Sequence, residues 1–253
     1  MPLEIVTVPC RADNYAYLLH DAGTGATAVV DVPDAAPIRA ALAERGWSLT
    51  DILITHHHND HIDGVAELKA ETGARVVGAA ADAHRLPPLD LALREGDSVA
   101  VGAEQAQVLD VSGHTLGHIA FSFPGAVFTA DSLMALGCGR LFEGDARTMW
   151  ASLSRLAALP PETLVYSGHE YTAANGAFAV TVDPDNPALK KRVADVAAAR
   201  AAGRPTVPSE LSLELATNPF LRATDPQMKA RMGMAGAPDA EVFAEIRRRK
   251  DAF

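Results

Sequence analysis

The chain has 253 residues, enough for one large core or two modest domains. Hydrophobic residues make up 48% and charged residues 21% of it, a globular balance, and no stretch approaches the ~18 apolar residues of a membrane span. The formal net charge of -10 argues against nucleic acid as a general partner, and two lone cysteines, Cys10 and Cys138, offer no disulfide framework and fit a reducing compartment.

The first two-thirds reads as alternating strands and helices. Leu3–Val8, Tyr15–His20 and Ala26–Val32 are predicted strands, separated by turn residues such as Asp13-Asn14 and Asp21-Ala22-Gly23. Ala35–Arg45 is a predicted helix closed by Gly46. Asp51–Thr55 is a strand, Gly64–Thr72 a helix and Arg75–Ala79 a strand. Further strands are expected at Val99–Val101 and Gln107–Val111, and a hairpin at Ile119–Phe123 and Val127–Thr129. Helix Ala146–Leu159 and strand Thr163–Tyr166 complete this part. From Glu170 onward the pattern is helical, at Pro187–Ala202, Glu210–Ala216 and Asp239–Arg249, with no convincing strand. A boundary is expected near residues 168–174. The N-terminus lacks a basic and apolar leader, so cytoplasmic residence is expected.

The densest chemistry follows the apolar run Ile52-Leu53-Ile54. There, Thr55-His56-His57-His58-Asn59-Asp60-His61 places three imidazoles and a carboxylate at His-x-His-x-Asp-His spacing. Imidazole and carboxylate together suit zinc, and imidazole also suits iron. If the strand runs on, His56 and His58 alternate to one side and His57 to the other. Asp60 and His61 then turn toward a second position, so one loop can feed two metals.

Three further candidates stand at strand-to-loop junctions: His114 in Ser112-Gly113-His114, Asp131 in Thr129-Ala130-Asp131-Ser132, and His169 in Ser167-Gly168-His169-Glu170. Taken singly, each has an ordinary explanation as a loop histidine or a turn aspartate. They gain weight by sharing the topological context of the first cluster.

With these residues in place, the chain resembles the metallo-β-lactamase superfamily, whose pattern is His-x-His-x-Asp-His followed by His, Asp and His. Within it, the chain is similar to the glyoxalase II (hydroxyacylglutathione hydrolase) family. That likeness is carried by Gly137-Cys138-Gly139-Arg140-Leu141-Phe142-Glu143-Gly144, by Ser167-Gly168-His169-Glu170-Tyr171-Thr172, by Asn218-Pro219-Phe220-Leu221-Arg222 and by the C-terminal Arg247-Arg248-Arg249-Lys250-Asp251-Ala252-Phe253.

The resemblance implies an α/β fold, an αββα sandwich over residues 1–169, followed by a small all-helical domain over residues 170–253 that binds glutathione. It implies two divalent metal ions, zinc foremost, with iron or manganese also suited to the ligands. His56, His58 and His114 would hold the first metal and Asp60, His61 and His169 the second, with Asp131 bridging. Asp60 and Asp131 would be the catalytic carboxylates. Arg140, Phe142, Tyr171, Arg247 and Lys250 would line the glutathione moiety. Arg140 stands where lysine is common and Phe142 where tyrosine is common, so one charge is kept and one hydroxyl is lost.

Two metals with nitrogen ligands and a bridging carboxylate suit hydrolysis, because bound water ionises near neutral pH rather than at ~15.7. A thioester is apt, since a thiol with a parent pKa near ~8.5 leaves without a strong general acid. No Gly-x-Ser-x-Gly elbow is present, against a serine esterase. The implied activity is hydrolysis of S-2-hydroxyacylglutathione, a small-molecule substrate, by a monomer with no membrane or nucleic-acid partner. The alternative is a mono-iron glutathione persulfide dioxygenase, which shares the first cluster but typically lacks the helical extension and basic C-terminus.

Overall fold

The computed structural model describes residues 3–253 and forms two compact units. The first runs to Asp110 and includes Leu116–Pro124; the second comprises Val111–Thr115 and Gly125–Phe253.

In the first unit, β1 (Glu4–Cys10), β2 (Asn14–His20), β3 (Thr27–Val30), β4 (Asp51–Leu53), β5 (Arg75–Ala79) and β6 (Leu91–Leu93) form one sheet in that order. The pairings β1–β2 and β2–β3 are antiparallel, whereas β3 to β6 run parallel. Parallel neighbours need a crossover, and α1 (Ala35–Arg45) supplies it between β3 and β4. The Asp34 carboxylate caps α1 by accepting from Ala36 N, and Gly46 ends it with φ of 66°, a left-handed conformation in which glycine carries no Cβ penalty. Helices α2 (Asn59–Ile62) and α3 (Val65–Thr72) join β4 to β5. Strands β7 (Ser98–Val101), β8 (Glu104–Asp110) and β9 (Ile119–Phe123) form an antiparallel meander. The core gathers Leu18, Val29, Ile38, Ile52, Ile54 and Leu68 among others. Strands β3 and β4 are buried along their whole length, as central parallel strands must be.

In the second unit, β10 (Ala126–Ala130) runs parallel to β13 (Leu164–Ser167). Between them come a short ribbon of β11 (Leu133–Met134) and β12 (Gly137–Cys138) and the helix α4 (Ala146–Ala157). Asp145 caps α4 by accepting from Thr148 N, and Met149, Leu153 and Leu156 form its buried stripe. Then follow α5 (Thr172–Val182), α6 (Pro187–Ala201), β14 (Ser209–Glu210), α7 (Leu211–Thr217), α8 (Pro226–Arg231) and α9 (Asp239–Asp251). Trp150 of α4 meets Phe243 of α9 with ring centroids 6.1 Å apart.

Three local expectations change. The motif after β4 is not all loop, since α2 carries Asp60 and His61 on one helical turn. The region after Glu170 does contain a strand, because β14 pairs antiparallel with β13 through Ser209 and Val165. Two residues of strand carry no periodic signal, so only the partner creates them. Helix α5 occupies the expected boundary. Its Thr, Asn and Gly content is poor for a helix, and burial of Phe178, Ala179 and Val182 decides it. Among the described residues, no helix is long and apolar enough to cross a membrane.

Candidate metal centre

The fold places His56, Asp131 and His169 just past the C-terminal ends of parallel strands, where α/β sheets commonly open a site; His114 follows the antiparallel β8. In the first unit, Val30 of β3 pairs with Leu53 of β4, so the chain leaves neighbouring strands at Asp31 and at Ile54-Thr55-His56. Asp31 has φ of 57°, a strained conformation that surrounding bonds must hold. Its Oδ1 accepts from Thr55 N at 2.8 Å and its Oδ2 from the Thr55 hydroxyl at 2.8 Å. The same Oδ2 lies 2.8 Å from His61 Nδ1.

This arrangement sets two tautomers. A carboxylate only accepts, so His61 carries its proton on Nδ1 and presents Nε2. The Thr55 hydroxyl donates to Asp31, so it accepts from His56 Nδ1 at 3.0 Å, and His56 likewise presents Nε2. That atom lies 3.2 Å from His58 Nδ1. Ligand atoms of Asp31, His56 and His61 lie within 4.8 Å of one another. His56 and His61 are fully buried, so these rings are aimed by the fold and not by solvent. Asp60 is oriented by Asn14, whose Nδ2 donates to its Oδ2 at 3.0 Å and to its backbone O at 3.1 Å. His57 turns away to Asp82 at 2.9 Å. His118 stacks on His56, with ring centroids 4.5 Å apart and planes 11° apart.

In the second unit, Ala130 of β10 pairs with Ser167 of parallel β13. Asp131 and His169 therefore leave adjacent strand ends. Asp131 Oδ2 lies 3.3 Å from His169 Nε2 and 3.5 Å from His114 Nε2. His114 Nδ1 lies 2.7 Å from the Arg140 carbonyl, so that nitrogen is the donor and Nε2 is left with its lone pair toward Asp131. Asp131 Oδ2 thus stands within 3.5 Å of two imidazole nitrogens. Each unit offers imidazole and carboxylate donors without thiolate, a set that accepts zinc, iron or manganese.

The remaining predicted residues also fall in the second unit. Phe142 is 61% exposed and lies edge-on to His114, with centroids 5.2 Å apart. Tyr171 stacks on His169 at 4.7 Å with planes 6° apart. The Arg140 guanidinium lies 6.0 Å from the Phe142 ring centroid. Arg247 is buried; its Nη1 donates to the Cys138 carbonyl at 3.1 Å and its Nη2 meets Asp251 at 2.7 Å. Lys250 Nζ lies 3.4 Å from the Ala174 carbonyl and about 5 Å from the rings of Phe178 and Phe253. Burial, and then the nearby Arg247 charge, lower the pKa of Lys250. The Cys138 thiol is pushed up to about 11 by burial.

Sequence reasoning passed over two acids. Asp31 sits within the apolar run Val29-Val30-Asp31-Val32, and a carboxylate interrupting a buried strand was its available signal. Asp251 pairs with Arg247 and lies 3.8 Å from Arg140, a link that no linear spacing exposes.

Residues 13–169 match the family model described as the metallo-beta-lactamase superfamily, and residues 170–253 match that described as hydroxyacylglutathione hydrolase C-terminus. A protein of Cereibacter sphaeroides named hydroxyacylglutathione hydrolase is 68% identical over 255 residues, covering 100% of each chain. Among solved structures, ETHE1 from Myxococcus xanthus is similar at 28% identity and a TM-score of 0.68, covering 98% of this chain and 90% of its own. A protein crystallised in a di-iron-bound form is similar at 28% identity and a TM-score of 0.62, covering 86% of this chain and 100% of its own. The chain has the metallo-β-lactamase fold with a C-terminal helical domain, and it belongs to the hydroxyacylglutathione hydrolase (glyoxalase II) family of that superfamily.

Proposed function

We propose that this chain hydrolyses the thioester of S-2-hydroxyacylglutathione, converting S-D-lactoylglutathione to D-lactate and glutathione in the removal of methylglyoxal. The observation that carries the reading is full-length identity of 68% to a protein named hydroxyacylglutathione hydrolase. The donor chemistry fits, since all seven superfamily positions hold imidazole or carboxylate.

The proposed ligands are His56, His58 and His114 for one metal and Asp60, His61 and His169 for the other, with Asp131 bridging. Zinc is the proposed ion. The chemistry such ions supply is a hydroxide nucleophile at neutral pH and polarisation of a carbonyl. The protein's own part is orientation. Asp31 fixes the protonated nitrogen of His61 and, through Thr55, that of His56. Asn14 aims the Asp60 carboxylate, and the Arg140 carbonyl aims His114. Ligand rings held in place reorganise little during reaction.

Arg140, Phe142, Tyr171, Arg247 and Lys250 form the proposed glutathione side. Exposed aromatic faces at Phe142 and Tyr171 and cations at Arg140 and Lys250 suit a peptide carrying carboxylates. The departing thiolate needs no strong acid, because its parent thiol ionises near ~8.5. Two buried, unpaired cysteines suit the proposed cytoplasmic setting, and a monomer is proposed.

The test is release of free thiol from S-D-lactoylglutathione by purified protein, before and after metal removal with a chelator. Fast release that stops on chelation and returns with zinc is the expected result. The likeness to ETHE1 at 28% identity favours a second reading, oxygen-dependent oxidation of glutathione persulfide at one iron. No thiol release from a fully metallated sample, with oxygen uptake on glutathione persulfide and one iron per chain, would establish that reading instead.

A further inference from the structure

The Asn218-Pro219-Phe220-Leu221-Arg222 motif has no place in the site described so far. Its first residue is fully buried and reaches back to the loop that follows Asp131. Asn218 Nδ2 donates to the Met134 carbonyl at 3.1 Å and to the Gly137 carbonyl at 2.9 Å. Neighbouring atoms of the same loop are held in the same way. Asn175 Nδ2 donates to the Ala135 carbonyl at 3.1 Å, and Glu214 Oε2 accepts from Leu136 N at 2.9 Å. Arg247 Nη1 donates to the Cys138 carbonyl at 3.1 Å.

Five consecutive residues, 134–138, are thus each bonded through the backbone to a side chain from beyond residue 170. All four of those side chains are buried. Leu136 at the centre has φ of 56°, a conformation that a branched residue keeps only when its surroundings over-determine it. The β11–β12 ribbon is two residues long on each side and cannot satisfy these groups alone.

The held loop leads straight to the candidate ligands. At Gly139 a Cβ would stand 1.9 Å from the Asp131 carbonyl oxygen and 2.9 Å from His114 Nδ1, so backbone lies hard against both. The next carbonyl, of Arg140, is the partner of His114 Nδ1 at 2.7 Å. Movement of residues 134–138 would therefore reach His114 through this carbonyl.

We propose that Asn218 and Glu214 are positioning residues for the metal centre: the C-terminal helices clamp residues 134–138, and the clamp sets Gly139 against Asp131 and the Arg140 carbonyl against His114. This rests on the ligand assignment given above. It gives the helical segment a role in metal retention, separate from contact with the acyl carrier.

The experiment measures zinc affinity of the full chain by competition with a chromophoric chelator, alongside kcat and KM. Asn218→Ala removes the clamp's central donor. Val196→Ala, on the buried face of α6 and without a side-chain donor or acceptor for the loop, is the comparator for general destabilisation. Removal of groups that orient metal ligands typically costs ~10–100-fold in affinity, and that range is expected for Asn218→Ala, with kcat falling and KM moving less. Val196→Ala is expected to keep wild-type affinity. Should Asn218→Ala fail to fold, Asn175→Ala, which removes one anchor of the five, is expected to weaken zinc binding in the same direction. Wild-type affinity in a folded Asn218→Ala or Asn175→Ala protein, or an equal loss in Val196→Ala, overturns the proposal. Affinity is read apart from turnover, so wild-type protein that binds zinc but cleaves no thioester refutes the hydrolase reading and leaves the clamp judged on affinity.

Discussion

Asp31 Oδ2 lies 2.8 Å from His61 Nδ1 and accepts the Thr55 hydroxyl at the same distance, while Thr55 in turn meets His56 Nδ1. One buried carboxylate governs which nitrogen two histidines present. Asn at position 31 tolerates the positive φ but puts an N–H where an acceptor is needed. Asp31→Asn is expected to weaken zinc binding by ~10–100-fold with the backbone intact. Chelator competition at pH 7 measures it, and unchanged affinity would show that Asp31 does not orient the ligands.

Removing a proposed ligand should cost more than removing its support. Asp131→Ala and His58→Ala are expected to lower kcat for thioester hydrolysis by more than ~100-fold, beyond what loss of an orienting group produces. Thiol release read with a disulfide dye measures this. Full hydrolysis by either variant would falsify the binuclear mechanism.

The proposed role of Lys250 in substrate binding depends on its charge. Its pKa is lowered by burial first and by Arg247 next, so the cation disappears at a lower pH than for a free lysine. If that cation meets a glutathione carboxylate, KM must rise with pH before the ordinary lysine range is reached. Lys250→Arg, which stays charged, is expected to flatten that rise. Lys250→Ala is expected to raise KM at neutral pH with little change in kcat. A pH series of KM for the three proteins is the measurement.

Burial pushes both thiols, Cys10 and Cys138, from 9.0 to about 11. The thiolate is the reactive form, so neither should react appreciably with iodoacetamide at pH 8 in the folded protein. The linkage runs one way: the folded pKa lies above the unfolded one, so this contribution to stability is complete below pH 9 and is lost as pH rises through about 11. Mass spectrometry after alkylation, with and without denaturant, checks the first expectation, and urea midpoints from pH 8 to 10.5 check the second.

Arg192 pairs with Glu214 in the second unit, with side chains only 5% and 0% exposed. Deleting one partner of a buried pair leaves an uncompensated charge, at a cost of about 3–5 kcal/mol. Arg192→Ala is expected to lose that much in urea unfolding. A loss below about 1 kcal/mol, the size typical of exposed pairs, would mean that water reaches Glu214.

Much of the proposed site was legible in the sequence. His56, His58, Asp60 and His61 lie within six residues, and imidazoles so dense have few other uses. Asp131 and His169 were legible as residues at strand ends, since β10 and β13 announce themselves by apolar runs, and His114 as a loop residue after β8. The helix α1 was readable to its last residue because Asp34 and Gly46 punctuate it. Helix α5 and strand β14 were not, because burial of Phe178 and pairing with Val165 create them.

Ligand type is local chemistry, so the order of residues was enough to point to the family and to propose a donor set suited to divalent metals. Orientation is not local. That Asp31 reaches across from β3 to His61, that Asp251 joins Arg247 beside Arg140, and that Asn218 holds a loop more than eighty positions away depends on which strands neighbour each other and which carbonyls are left buried. Packing settles those matters, because a buried polar group takes whatever partner the fold brings within reach.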